Sequence, residues 1–401
     1  MRFVARFRLL AIVLTALTCA FLISTKQSAQ NDTQAQASPS PSPSPSPSPS
    51  PTPITGLHQW GAVTLFHGLP SDRVHAVAQT NDGAMWFGTE AGLAKFDGRR
   101  TVAINDLALP AGRVLALLTA QDGALWVGTE SGAARFSAGV FERINETAAQ
   151  AITSIVEAGG ATFMSTEQGN VYECHIRSDN TVETRALLPE PLRSADRDHP
   201  GPLPITSIIK ANNRLFIGTL SLGLLEIENG ALRRAPEKPA TFFINALERD
   251  REGKLWAGGR AKKEEPGAFT GTDPVTLKRT EILTGPVMTL RSIGDEMWIG
   301  TDGRGVFRVS KEKIQRFTFD GTAGGLRSDH VYAIFADREG VIWFGTDRGV
   351  CRFDPHAPRV ESVGDNSDSN FVRALYQAGN GRTIALQRAG VYASAGSVSG
   401  S

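Results

Sequence analysis

The stretch from Gly324 to Phe353, GGLRSDHVYAIFADREGVIWFGTDRGVCRF, recurs along the chain with small changes, and this recurrence limits the fold more than any other feature. Gly68 to Phe96 reads GLPSDRVHAVAQTNDGAMWFGTEAGLAKF, and Pro110 to Phe136 keeps the same order. Fainter copies surround Phe163, Phe216, Trp256, Trp298 and Ile384. A fixed period of about forty residues marks stacked units, none of which can bury its apolar faces alone.

Within one unit, Val331 to Phe335 alternates and is rich in β-formers, Asp337-Arg-Glu-Gly turns the chain, and Val341 to Thr346 makes a second strand. A turn at 346 to 349 leads into Gly349 to Phe353, and a more polar strand such as Pro358 to Val363 carries the chain onward. Four strands per unit at this period predict an all-β fold, a single β-propeller of four-stranded blades. The innermost strand of a blade is crowded by its neighbours, so it should hold a small side chain at one fixed place. Eight quartets comply, beginning at Val74, Val114, Ile152, Ile205, Ile244, Val287, Val331 and Val372. Their first and fourth residues are aliphatic, and their third residues are Ala76, Ala116, Ser154, Ser207, Ala246, Thr289, Ala333 and Ala374.

The count points to eight blades over residues 54–401, with seven blades and a spare unit as the alternative. Gln59 to Phe66 resembles an outer fourth strand, and no such strand follows the eighth unit. Ring closure is therefore expected with 57–66 as the outer strand of the blade whose inner strands come from 371–395. Cys174 and Cys351 occupy matching third strands of units three and seven. Across an eight-fold ring they would lie far beyond the roughly 7 Å between Cα atoms that a disulfide spans, so both read as small core residues.

Three arginines precede an uncharged apolar run from Leu9 to Ile23, so residues 1–29 read as a signal peptide or a signal anchor. Such a run is shorter than the roughly 20 residues that cross a bilayer comfortably. Residues 30–53 form a Ser/Pro-rich linker, and the alternating Ser-Pro of 38 to 53 favours extended polyproline II. These features place the rest of the chain on the periplasmic or extracellular side, either secreted or anchored to the inner membrane by the N-terminal segment. The net charge of +1 provides no basic stripe for phosphates, which argues against nucleic acid as a partner. No His or Cys pair has metal-ligand spacing, so neither a metal nor a cofactor is assigned.

The phrases G-L-P-S-D-x-V, D-G-x-x-W-F-G-T and x-G-L-x-x-F stand at Gly68 to Val74, Asp82 to Thr89 and Gly92 to Phe96, and the first two again at Gly325 to Val331 and Gly340 to Thr346. In these phrases the chain resembles the two-component regulator propeller repeat family, over about 57 to 395. Members are typically periplasmic sensor halves of membrane-bound histidine kinases, often sensing carbohydrate, with two seven-bladed propellers before a membrane helix and kinase. The resemblance implies an extracytoplasmic ligand-binding sensor acting through a partner or a kinase portion beyond these residues. A propeller scaffold for protein interaction is the alternative.

No catalytic residue is assigned. Streptogramin lyases share Gly-x-x-Trp-Phe-Thr phrasing, but no His and Glu spacing here identifies an acid and base. The aspartate box of sialidases wants Asp five residues before Trp, whereas Asp82 lies four before Trp86 and Asp337 six before Trp343, so these aspartates read as turn formers. Trp86, Trp126, Trp256, Trp298 and Trp343 share one place in the second strand and read as packing between blades. Gly300 to Gly305 reads as a hairpin turn.

The face formed by the fourth-to-first and second-to-third connections is the expected binding surface. It carries Asp72, Arg73, Arg113, Asp302, Arg304, Asp329, His330, Asp347 and Arg348, together with Glu90 and Glu130. Convergent carboxylates and guanidinium groups suit a small molecule or oligosaccharide, and a membrane-bound signalling protein is the expected partner.

Overall fold

The computed structural model describes residues 59–194, 201–211, 214–228, 231–234, 242–261, 267–271, 278–279, 285–311, 313–357, 372–377, 383–387 and 390–393. The expected signal segment, Cys19 and the linker lie outside them. Seven four-stranded antiparallel sheets follow one another along the chain. Their inner strands are Val74–Gln79, Val114–Thr119, Ile152–Ala158, Ile205–Ala211, Phe242–Arg249, Val287–Ile293 and Val331–Ala336. We number the blades one to seven in that order.

Seven blades, rather than eight, close the ring. The N-terminal strand Trp60–Val63 pairs antiparallel with Gly349–Phe353, Trp60 opposite Phe353 and Val63 opposite Val350, and so supplies the outer strand of blade seven. Closure by an N-terminal outer strand is thus as expected, but in a different blade. The stretch 358–363 read as an outer strand lies outside the described residues, and Trp60–Val63 takes that place. The eighth unit forms a separate three-stranded sheet of Val372–Gln377, Thr383–Gln387 and Gly390–Ala393. The small-centred quartet marks a blade-like strand whether or not that strand joins the ring, which is why counting quartets gave one too many.

The quartet is explained by the seams between blades. A side-chain carbon built at Gly88 would stand 2.7 Å from Val114 Cγ1, and one at Gly128 2.7 Å from Ile152 Cγ2. The second-strand glycine of each pair thus receives the first quartet residue of the following blade, and only a residue without Cβ permits that approach. The fourth quartet residue packs against the preceding blade, Val77 with Trp343 and Val341, and Ile334 with Trp298 and Val306. Each apolar cluster therefore bridges two sheets, as nearest-neighbour repeat packing requires. Between blades seven and one the same seam joins Val74, Val77 and Phe87 to Ala333, Trp343 and Val350. The ring has no open edge there.

All five repeated tryptophans are buried in these seams. The Trp256 indole N–H donates to Asp250 Oδ2 at 2.9 Å and that of Trp343 to Asp337 Oδ2 at 2.6 Å, while Asp337 Oδ1 accepts from the Val341 N–H at 2.8 Å. These aspartates form the turn and also satisfy the ring six residues later. Cys174 and Cys351 are free and buried in separate clusters.

Candidate functional site: the axial mouth

Backbone bonding gathers the expected loops onto one face. Within a blade, the second-to-third turn donates to the segment before the first strand: Glu90 N–H to Arg73 O, Glu130 N–H to Arg113 O, Glu167 N–H to Ala151 O and Asp302 N–H to Pro286 O, each at 2.9 Å. Between blades, Gly349 N–H donates to Asp72 O at 2.7 Å and Gly305 N–H to Asp329 O at 2.9 Å. These connections are the rim of the ring.

The nine expected residues divide by what they touch. Asp72 Oδ1 accepts from the Leu65 N–H at 2.7 Å and holds the short 3₁₀ turn Leu65–His67. Asp329 Oδ1 accepts from the Phe319 N–H at 2.8 Å, so it fixes the long connection into blade seven. Arg113 Nε donates to Glu130 Oε2 at 2.7 Å, and this partner raises the pKa of Arg113 above its ordinary value. Asp302 of blade six bonds His330 Nδ1 beside the inner strand of blade seven. The backbone carbonyl of Arg304 accepts from Arg316 Nε at 2.9 Å, and its aliphatic stem lies over Gly285. Arg73 and Arg348 are exposed. Asp347 is half-buried, and its Oδ1 is fully buried with no hydrogen-bond partner in the structure. The structure therefore brings Asp302 with His330, and Arg113 with Glu130, while Asp72 and Asp329 serve the loops themselves.

Sequence reading missed a set of residues on the inner strands. In every ring blade the pairing slips once, between the first and third quartet residues, so the second residue is an unpaired β-bulge. A bulge re-aims its side chain. The seven bulge residues are His75, Leu115, Thr153, Thr206, Asn245, Met288 and Tyr332, and all are half-buried between fully buried first residues and well-packed neighbours. Thr153 Oγ1 donates to Ile205 O at 2.6 Å, Thr206 Oγ1 to Ile244 O at 2.6 Å and Asn245 Nδ2 to Val287 O at 2.9 Å, each reaching the next inner strand. On the other arc the His75 and Tyr332 rings stand 5.6 Å apart, and His75 Nε2 bonds Glu90 Oε2 at 2.7 Å. A signal was available: inside quartets whose other three places hold one side-chain class, only the second place varies from histidine to methionine.

The arc from blade six to blade two is the one whose charged groups act on Tyr332. The Tyr332 phenol is pushed up from its ordinary pKa by burial and then by Asp347, with Asp302 and Glu90 adding to the rise and Arg73 opposing it. An aromatic pair, three carboxylates and a guanidinium thus act on one another at the mouth. Such a site can hold hydroxyl or charged groups by hydrogen bonding, with rings to pack against.

The two-component regulator propeller model matches residues 68–91 and 325–348, the segments that build the mouth in blades one and seven. The chain carries two-component regulator propeller repeats. Among solved structures it is similar to the extracellular domains of two proteins from B. thetaiotaomicron assigned as hybrid two-component systems. The first shows 21% identity and a TM-score of 0.60, over 82% of this chain and 44% of that one. The second shows 17% identity and a TM-score of 0.61, over 86% of this chain and 50% of that one. This repeat chain thus spans about half the length of those domains. A streptogramin B lyase shares the fold at 14% identity and a TM-score of 0.51, over 74% of this chain and 97% of the lyase. No curated protein matches the sequence.

Proposed function

We propose that this propeller is the ligand-sensing part of an extracytoplasmic signalling system and takes a small hydroxyl-rich or charged molecule at the axial mouth over blades six, seven, one and two. The observation that carries this reading is the ring of bulge residues, variable in chemistry within an otherwise uniform frame, with the His75 and Tyr332 pair and the unpartnered Asp347 oxygen on one arc. Occupancy passes by contact to a membrane-bound signalling protein or to a kinase portion of a longer chain. Residues 1–29 export or anchor the protein, and 30–53 link that segment to the propeller. The site holds the ligand without transforming it. A reporter active only in the cytoplasm, fused after Pro53, stays silent on this reading, and strong activity refutes the location.

A second reading has its own observation. Phe66 is 99% exposed and Leu107 98% exposed, both on fourth-to-first connections of the same rim, and exposed apolar groups of this size suit a protein partner. Thermal-shift screening of the full chain against oligosaccharides and small charged metabolites separates the two. A ligand at about 100 times its dissociation constant adds about 2.7 kcal/mol to stability. Arg73→Ala and Arg348→Ala should reduce the shift without unfolding the ring, since both side chains are exposed. A shift untouched by either variant moves the ligand away from this face. No shift with any compound, together with capture of a membrane protein that Phe66→Ser abolishes, establishes the scaffold instead.

A further inference from the structure

The place one beyond the quartet on each inner strand faces the seam with the following blade. Ala78, Leu118, Val156, Ile209 and Phe335 hold it in blades one, two, three, four and seven, each packed with the apolar cluster of that seam. Blades five and six depart from this pattern in succession, with Glu248 and Arg291. A carboxylate and a guanidinium thus stand in adjoining blades where the repeat otherwise places apolar groups.

Glu248 is half-buried beside a seam that Ala246, Trp256, Val287 and Leu290 fill, and it accepts from the Ser292 N–H at a long 3.4 Å. Among the described residues it has no ion pair with Arg291. The exposed Arg291 instead holds its guanidinium carbon 5.9 Å over the Phe335 ring of blade seven. Burial pushes Glu248 above the ordinary carboxylate range, while Arg291 and the Ser292 N–H pull the other way. Other charges at this end of the two blades have their own contacts: Arg251 meets Asp295 at 2.9 Å, Lys311 meets Glu252 at 2.5 Å, and Asp250 takes the Trp256 indole N–H. Lys254 lies over the Trp256 ring, and Arg249 Nε donates to Gly253 O at 3.1 Å. A half-buried carboxylate with one long hydrogen bond is costly to keep charged, and a flexible arginine between an acid and an aromatic ring has two favourable resting places.

We propose that Glu248, Arg291 and Phe335 form a proton-operated switch spanning blades five, six and seven. With the proton on Glu248, Arg291 lies on Phe335, the arrangement in the structure. When solvent base takes the proton, Arg291 leaves the ring and pairs with the carboxylate. A contact between blades six and seven is thereby exchanged for one between blades five and six, at the end of the ring away from the mouth. Because the folded protein holds this proton to higher pH than the unfolded chain, the stability it contributes is complete below the ordinary glutamate value of about 4.3 and is lost as pH rises through the folded value.

Thermal unfolding of the detergent-solubilised full chain from about pH 4 to about pH 9, beside Glu248→Gln, tests this. The amide cannot ionise, so the unfolding constant of wild type relative to the variant should rise by about tenfold per pH unit across the window in which only the folded protein is protonated. Phe335→Leu removes the competing resting place and should end that window at lower pH, whereas Arg291→Met removes the cation and should end it at higher pH. A ratio flat with pH overturns the proposal. So does a window that Phe335→Leu leaves in place, because a buried glutamate without the switch ignores that ring. Tryptophan emission reports whether each variant folds; should Glu248→Gln not fold, the pH profile of wild type against Arg291→Met still shows the displaced window, and coincident profiles overturn the proposal. The ligand screen reads the other face of the ring, so the two results are independent.

Discussion

Gly345 of blade seven lies against Val74 of blade one, residues far apart in the chain: a Cβ at 345 would stand 2.8 Å from the Val74 carbonyl oxygen and 3.1 Å from its Cγ1. This contact completes the ring. Because the obstructing atom is backbone, Gly345→Ala forces the seam open and should cost about 1–3 kcal/mol in denaturant unfolding. Gly139→Ala meets no atom but must hold a positive φ of 85°, so it tests backbone strain without a seam and should cost about 1 kcal/mol.

Trp60 anchors the closing strand by packing on Phe353 at 4.8 Å and on Phe344 and Phe317 at 6.0 Å between ring centroids. Trp60→Ala removes this half-buried anchor and should destabilise the ring by about 2–4 kcal/mol. Hydrogen exchange should then show faster loss of protection in 349–353 than in blades three and four.

Asp329 and Arg348 were expected to share one role, and the structure separates them. Truncating Asp329 strips the acceptor from the Phe319 N–H, so Asp329→Ala should cost about 1 kcal/mol whether or not ligand is present. Arg348→Ala should stay within about 0.5 kcal/mol of wild type, since its side chain is exposed. Equal effects on urea midpoints would contradict the assignment.

Burial pushes the Cys174 thiol up to about 11 and the Cys351 thiol to about 12. Thiolates are the reactive form, so in a Cys19→Ser background the native protein should resist iodoacetamide at mildly alkaline pH and react fully only after denaturation. Mass spectrometry reads the difference.

Asp82 is held at about 2, chiefly by the Thr80 hydroxyl that donates to it at 2.5 Å, with Lys95 helping. A depressed carboxylate stabilises the fold above its unfolded value of about 3.9 and loses that contribution as pH falls toward 2. Since the side chain is 56% exposed, solvent screening keeps the contribution under about 1 kcal/mol. Thermal midpoints between pH 5 and 2 should fall less steeply for Asp82→Asn than for wild type.

Most of the fold was legible because each repeat states its own strands and turns. Trp86, Trp343 and the quartet alanines report their neighbours through size alone, and the unpartnered Gln59 to Phe66 announced a closing strand. The blade count was not legible, since membership of the ring depends on whether Val74 meets Gly345 or some later glycine, a contact between distant residues. The site was half legible. Loop charges such as Asp302 and His330 can be placed from the connections, but a bulge is a property of pairing, so the axial positions of His75 and Tyr332 appear only once the strands are in register. Asp329 misled because a turn-capping carboxylate and a ligand-binding one look the same in one dimension.

The strand at 60–63 leaves the ribosome before any of the blades, yet its hydrogen-bonding partner at 349–353 is made nearly three hundred residues later. Blades one to six can condense in turn from local hairpins, while this segment waits as an unpaired edge. Pairing across such a separation carries a large loop-closure cost, so the final kinetic step should be docking of the first-made strand. During that wait the open side of blade seven is the place where another chain could intrude, and the speed of this single event governs how much of the newly made protein is lost to misassembly.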